Sequence, residues 1–204
     1  MYPQGGGQAS DQGTIYFDNQ ELNVTFVSFL DGEVLHFCDY SEIKTDLINK
    51  EVTLTISDSR RILNSKLHSA GHLISGIIEK IHSNLKAVKG FHFPDGPYVE
   101  FKGEKFEDNE KTIQEANNMI YNHIEKETPI TTEFINYDDL KKRCSNIPTY
   151  IPKDKPLRIA TILGFEPLPC GGTHIKSCKE LLGLKISKIK NKKGNIKISY
   201  NLFN

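Results

Sequence analysis

Two short runs of this 204-residue chain carry side chains that bind transition metals. His68 and His72 stand four residues apart, and Pro169-Cys170-Gly171-Gly172-Thr173-His174 puts a thiol and an imidazole in one glycine-rich loop. On a helix, residues four apart lie on one face, one turn from each other, which is a workable bite for a single ion. The two glycines let the loop fold tightly enough for Cys170 and His174 to meet that ion. Three imidazole nitrogens and one thiolate sulfur suit tetrahedral Zn²⁺. The competing readings are a solvated histidine pair and a buried apolar cysteine beside a plain turn; Cys178 stands in reserve as a ligand. No H-E-x-x-H occurs, which disfavours a metalloprotease of that type.

The element carrying the histidines is predicted from Asp58, a plausible N-cap, to about His82. Leu63, Leu67, Ala70, Ile74, Ile77, Ile78 and Ile81 recur at helical spacing and form its buried stripe. At about 100° per residue, His68 and His72 fall roughly 140° to 180° from that stripe. Their neighbours there are Ser65, Ser69, Ser75 and Gly76, small enough to admit a ligand or another chain segment. Ahead of this helix, residues 13–17, 22–30, 33–38 and 51–56 read as strands, with Asp31-Gly32 marking a hairpin; they predict a small barrel or compact sheet. After it come strands at 87–93 and 98–102, a helix at 107–126, a strand at 130–136 and a short helix at 138–144. A strand at 157–163 precedes the cysteine loop, and a hairpin of 184–190 with 196–202 turns at Lys193-Gly194. The strands-only stretch gives way near residue 57, the predicted domain boundary.

Net charge is zero, yet residues 1–140 carry 12 Lys/Arg against 23 Asp/Glu and residues 141–204 carry 14 against 3. A neutral protein with such a split can turn a basic face to a polyanion, although lysines also simply solvate exposed strands. No apolar run is long enough for a membrane span and no secretory signal opens the chain, so four cysteines read as reduced thiols or metal ligands in a cytoplasmic protein.

His68-Ser69-Ala70-Gly71-His72-Leu73, followed a hundred residues later by Pro169-Cys170-Gly171-Gly172-Thr173-His174, resembles the editing domain of alanyl-tRNA synthetases. It also resembles the freestanding AlaX editing proteins and, more distantly, the editing domain of threonyl-tRNA synthetases. Tyr2-Pro3-Gln4-Gly5-Gly6-Gly7-Gln8, with Asp11 and Gly13, is similar to the glycine-rich motif preceding the editing domain in the alanine branch. The resemblance covers nearly the whole chain. It implies an α+β protein: a small N-terminal β-barrel-like domain (1–57) and a zinc-binding α+β editing domain with a central antiparallel sheet (58–204). It implies zinc on His68, His72, Cys170 and His174, and places Gln8 near the editing pocket. Ala9 stands where the family usually has proline, and the chain begins close to the glycine motif, where relatives usually have an earlier strand. That start implies a shortened chain or an incomplete barrel.

The activity implied is hydrolysis of tRNA(Ala) wrongly charged with serine or glycine, without a nucleotide cofactor. Serine differs from alanine by a hydroxyl, and a pocket that hydrogen-bonds a hydroxyl discriminates better than one judging size. Thr173 is the leading partner for it, with Ser69 and Gln8 behind. Lys185, Lys188, Lys190, Lys192 and Lys193 are the candidates for the tRNA body. The alternatives are a non-catalytic zinc-stabilised tRNA-binding module and an editing fragment of a full alanyl-tRNA synthetase.

Overall fold

The computed structural model describes residues 1–39, 47–149, 151–192 and 194–203. Its first four strands are β1 (Gly13–Phe17), β2 (Gln20–Leu30), β3 (Glu33–Asp39) and β4 (Thr53–Ile56), paired antiparallel in the order β3-β2-β1-β4. Asp31 and Gly32 both take positive φ (50° and 89°) at the β2–β3 turn, matching the twist of the strands they join. Among the described residues no pair joins β3 to β4, so the expected barrel is an open sheet.

The rest of the chain builds around α1 (Asp58–Ile81). The cap is Ser57, one residue before the expected Asp58, which instead lies in the first turn, where its charge suits the helix dipole. Next come β5 (Lys86–Phe91), β6 (Tyr98–Lys102) and α2 (Asn109–Glu125), the last capped by Asp108, whose side chain accepts from the amides of Glu110 and Lys111. Then follow β7 (Ile130–Ile135), α3 (Tyr137–Arg143), β8 (Leu157–Ile162), β9 (Leu168–Pro169), a 3₁₀ turn at Cys178–Leu181, β10 (Leu184–Lys192) and β11 (Asn195–Leu202). The central sheet is wholly antiparallel, in the order β10-β11-β6-β5. α1 and α2 cover one of its faces. Val99 and Phe101 of β6, Ile196, Ile198 and Tyr200 of β11, and Leu184, Ile186 and Ile189 of β10 meet Leu67, Leu73, Ile74, Ile77 and Ile78 of α1 in the main core. A smaller core of Leu140, Cys144, Leu157 and Ile159 fixes α3 on a second sheet, β7-β8-β9.

Sequence patterns missed two short elements. β9 has two residues and no period to detect, and the 3₁₀ turn is set by Ser177, whose hydroxyl accepts from the Lys179 amide. No described helix is long and apolar enough to cross a membrane.

Residues 1–12 bridge the first sheet and the rest of the chain, bonding to β2, to α1 and to His92. Gln4 N–H donates to the Val27 carbonyl and His92 N–H to the Gly7 carbonyl. The Asp11 carboxylate, its side chain 1% exposed, is paired with Arg61 of α1 and accepts from the Tyr2 amide. Burial alone would raise the Asp11 pKa, but the hydrogen bonds from Arg61 and Tyr2 and the guanidinium charge outweigh it and hold the carboxyl below its ordinary value.

Two stability tests follow from this packing. Ile77 is fully buried and Ile62 is 50% exposed on the same helix. Ile77→Ala is expected to cost about 2–5 kcal/mol and Ile62→Ala within about 0.5 kcal/mol, read from urea unfolding. A carboxyl whose folded pKa is depressed contributes stability that is complete above its unfolded value, near 3.8, and lost as pH falls through the lower folded value. The stability gap between wild type and Asp11→Asn should therefore be constant from pH 7 to about pH 5 and close below about pH 4; a gap that persists at pH 2 contradicts the latch.

Candidate metal centre and cleft

Three segments converge on one point. α1 presents His68 and His72, and the loop after β9 presents Cys170 and His174. The residues between β1 and the N-terminus present Gln8. The ligand atoms of His68, His72, Cys170 and His174 all lie within 4.8 Å of one another. Cys170 Sγ stands 3.4 Å from His68 Nε2 and 3.3 Å from His174 Nε2. A tetrahedral zinc with Zn–N of ~2.05 Å and Zn–S of ~2.3 Å would hold sulfur and nitrogen roughly 3.5 Å apart, so the four residues fit such an ion. Cys178, the reserve ligand, is fully buried in the main core instead, and burial pushes its thiol up to about 11.

Burial drives the imidazoles toward neutrality. His68 is held well below its ordinary pKa by desolvation and by the charges of His72, His92, His174 and Arg158. His72 is pushed down to about 4 by burial and by Arg158. The Cys170 thiol is raised by burial, which the Gly172 amide and Arg158 oppose without overcoming. A dication in this cluster would reverse the balance at sulfur and take up the neutral nitrogens as they stand.

The outer partners aim the ligands. Gln8 Oε1 accepts from His68 Nδ1 at 2.8 Å and from the Thr173 amide at 2.9 Å, while Gln8 Nε2 donates to Thr173 Oγ1 at 2.9 Å. An Nδ1–H on His68 leaves Nε2 bare and pointed at Cys170. The hydroxyl chain continues from Thr173 Oγ1 to Ser65 Oγ at 2.7 Å, and Ser65 donates to the Arg61 carbonyl at 2.8 Å. Ser69 Oγ sits 3.0 Å from His174 Nδ1 and accepts from the Ile175 amide. Arg158 of β8 donates to the carbonyls of Cys170 and Gly172, clamping the loop, and the Gly172 amide donates to Cys170 Sγ at 3.3 Å. His72 alone of the four has no hydrogen-bond partner among the described residues. Close approach requires glycine at 172, where a Cβ would lie 2.0 Å from His68 Cε1.

The polar face of α1, with its small residues, thus receives two chain segments: Asn64, Ser65, His68 and Ser69 are all buried beneath them. In front of the cluster lies a cleft of about 980 Å³, lined by His68, His72 and Cys170 on one side and by β5 and the edge of β8 on others. Two cations, Lys89 and Arg158, line it, and among the described residues no carboxylate does. Gln8, Ser69 and Thr173 do not line it; they stand behind the ligands. Lys185, Lys188 and Lys190 are exposed on β10, the far edge of the sheet from β5, roughly 14 Å away at ~4.8 Å per strand. Lys192 is the last residue of β10, and Lys193 lies outside the described residues.

Sequence reasoning passed over Arg158, Lys89 and His92. Arg158 did leave a signal, a lone charge inside the apolar run Leu157-Arg158-Ile159-Ala160. His92, between Phe91 and Phe93, left none. It is buried, its ring stacks on His68 with centroids 4.8 Å apart, and desolvation pushes its pKa down to about 3.

Removing the carboxamide that aims His68 should weaken the centre without unfolding the chain. Gln8→Ala is expected to lower zinc affinity by about 10- to 100-fold in chelator competition. An unchanged affinity contradicts the aiming role.

No family model matches the chain. The curated relatives do: an alanyl-tRNA editing protein AlaX-M of Methanosarcina barkeri is 29% identical over 210 residues, covering 99% of this chain and 85% of the relative. The AlaX-L protein of Pyrococcus horikoshii is 29% identical over 201 residues, 96% of this chain and 47% of its own length. An alanine–tRNA ligase of Methanobrevibacter smithii is 28% identical over 198 residues, 92% of this chain but 21% of the ligase. Along nearly its whole length, this chain is similar to alanyl-tRNA editing proteins of the AlaX type.

Proposed function

We propose that the chain is a zinc-dependent aminoacyl-tRNA deacylase that hydrolyses the ester of serine or glycine wrongly attached to tRNA(Ala). The observation that carries the reading is the meeting of four side chains able to ligate a metal at the wall of a cation-lined cleft, in a chain similar to AlaX proteins over nearly all of its own length. A cleft lined by Lys89 and Arg158, and by no carboxylate among the described residues, suits the phosphate-bearing 3′ end of a nucleic acid. Its volume of about 980 Å³ accommodates an aminoacyl-adenosine terminus.

Zinc, when bound, supplies Lewis-acid polarisation and a fixed positive charge. The chain's own residues supply the rest. Gln8 and Ser69 hold His68 and His174 in orientation, and Thr173 and Arg158 lock the cysteine loop against α1 and β8. In this reading Gln8, Ser69 and Thr173 serve the reaction by positioning ligands. The tRNA body lies over the basic C-terminal half, with Lys185, Lys188, Lys190, Lys192 and Lys193 as its contacts, so their removal flattens the salt dependence of binding. Residues 1–57 and 58–204 are the two units, with the glycine-rich segment of the first completing the site of the second.

The test is deacylation of Ser-tRNA(Ala), Gly-tRNA(Ala) and Ala-tRNA(Ala) by zinc-loaded protein and by a folded Cys170→Ala/His174→Ala variant. Release of serine or glycine but not alanine, lost in the variant, is the expected result. No release above the uncatalysed rate overturns the reading and leaves a zinc-stabilised tRNA-binding module.

A further inference from the structure

The three side chains that the sequence offers for a serine hydroxyl are committed behind the candidate ligands. The Thr173 hydroxyl lies between Gln8 Nε2 and Ser65 Oγ, the Ser69 hydroxyl between His174 and the Ile175 amide, and both ends of the Gln8 amide are in use. Of the polar groups that do line the cleft, Tyr2 donates its hydroxyl to the Gly5 carbonyl, Ser75 donates to Gly71, and Arg158 is spent on two carbonyls. Lys89 is a donor only.

His92 differs from all of these, and from Gln4 with its exposed side chain, in being a buried ring held in place at the cleft. Its Nδ1 is 2.7 Å from Tyr200 Oη, and the one Tyr200 hydroxyl proton goes to the Leu67 carbonyl at 2.9 Å. Tyr200 must therefore accept at the other contact, so His92 carries its proton on Nδ1 and a bare lone pair on Nε2. Among the described residues no hydrogen-bond partner meets that Nε2. Its edge of the ring rests on two glycines that themselves line the cleft: a Cβ at Gly90 would lie 2.2 Å from Nε2, and one at Gly71 2.1 Å from Cε1. The cradle leaves the unpartnered Nε2 of an otherwise buried ring open at the cleft floor, stacked beside the candidate ligand His68.

We propose that His92 is the specificity-determining residue of the cleft, its Nε2 accepting a hydrogen bond from the side-chain hydroxyl of a seryl ester, with Tyr200 positioning it. The proposal rests on the deacylase reading for its substrate. A fixed acceptor gains a partner from serine and none from the methyl of alanine or the hydrogen of glycine, so it favours the seryl ester over both. The α-ammonium is common to all three esters, so a contact with it contributes nothing to the preference among them.

The test uses the zinc-loaded full chain and non-hydrolysable 3′-amide analogues of seryl-, glycyl- and alanyl-adenosine, titrated into wild type, His92→Asn and His92→Gln. Asparagine reaches Tyr200 but not the Nε2 position; the longer glutamine places its amide oxygen there. Wild type is expected to prefer the seryl analogue by about tenfold or more. Asparagine should abolish that preference while glycyl affinity changes less than about threefold, and glutamine should restore part of it. Nitrogen NMR should show His92 protonated at Nδ1 in wild type, with that tautomer lost in Tyr200→Phe. No preference in wild type, a preference that survives in His92→Asn, or an equal loss for all three analogues overturns the assignment. Ester hydrolysis by wild type is scored separately. Hydrolysis without a seryl preference leaves the deacylase reading standing and removes His92; a preference without hydrolysis does the reverse.

Discussion

One carboxamide joins parts of the chain that the sequence keeps 60 and 165 residues apart. Gln8 accepts a hydrogen bond from His68 Nδ1–H on one side and engages both the amide and the hydroxyl of Thr173 on the other. The helix and the cysteine loop therefore cannot shift relative to each other without breaking bonds to the same side chain. Buried polar groups of this kind stabilise only when every member is satisfied, and here the chain runs without a gap from Gln8 through Thr173 and Ser65 to a helix carbonyl. The rest of the architecture serves that junction. The Asp11–Arg61 pair holds residues 1–12 on α1, Gly6 and Gly7 at positive φ (57° and 78°) turn the chain back, and Arg158 ties the loop to β8.

The arrangement separates two tasks that one set of residues could not perform together. Side chains behind the metal ligands are fully engaged and fix tautomers and angles. Groups in front of them face the cleft: His92, Lys89, Ser75 and the His72 ring. Were the four residues to hold an ion, its sphere would sit beside the polar cleft without collapsing into it, because the outer nitrogens of His68 and His174 are already occupied.

The main elements of the fold were legible because their periods are simple. The stripe from Leu63 to Ile81 marked α1, and alternation marked β11, where Ile196, Ile198 and Tyr200 point inward. The metal half-sites were legible because spacing alone puts His68 with His72 and Cys170 with His174. Three things were hidden, for physical reasons. An open sheet and a small barrel share the same strand pattern, since closure depends on pairing between edges that no local period records. The hydroxyls of Thr173 and Ser69 look available in sequence, and only the three-dimensional network shows what they are bonded to. The role of His92 depends on Tyr200, 108 residues away, and on glycines at 71 and 90 that in sequence look like ordinary helix and strand interruptions.

The most direct measurement of the central claim, that His68, His72, Cys170 and His174 share one tetrahedral ion, is the absorption spectrum of the protein titrated with Co²⁺ in place of zinc. One equivalent should produce an intense visible d–d envelope typical of four-coordinate cobalt and a near-ultraviolet thiolate-to-metal band, both displaced stoichiometrically by Zn²⁺ and with the thiolate band missing in Cys170→Ser. Weak six-coordinate bands, or a thiolate band that survives in that variant, would contradict it.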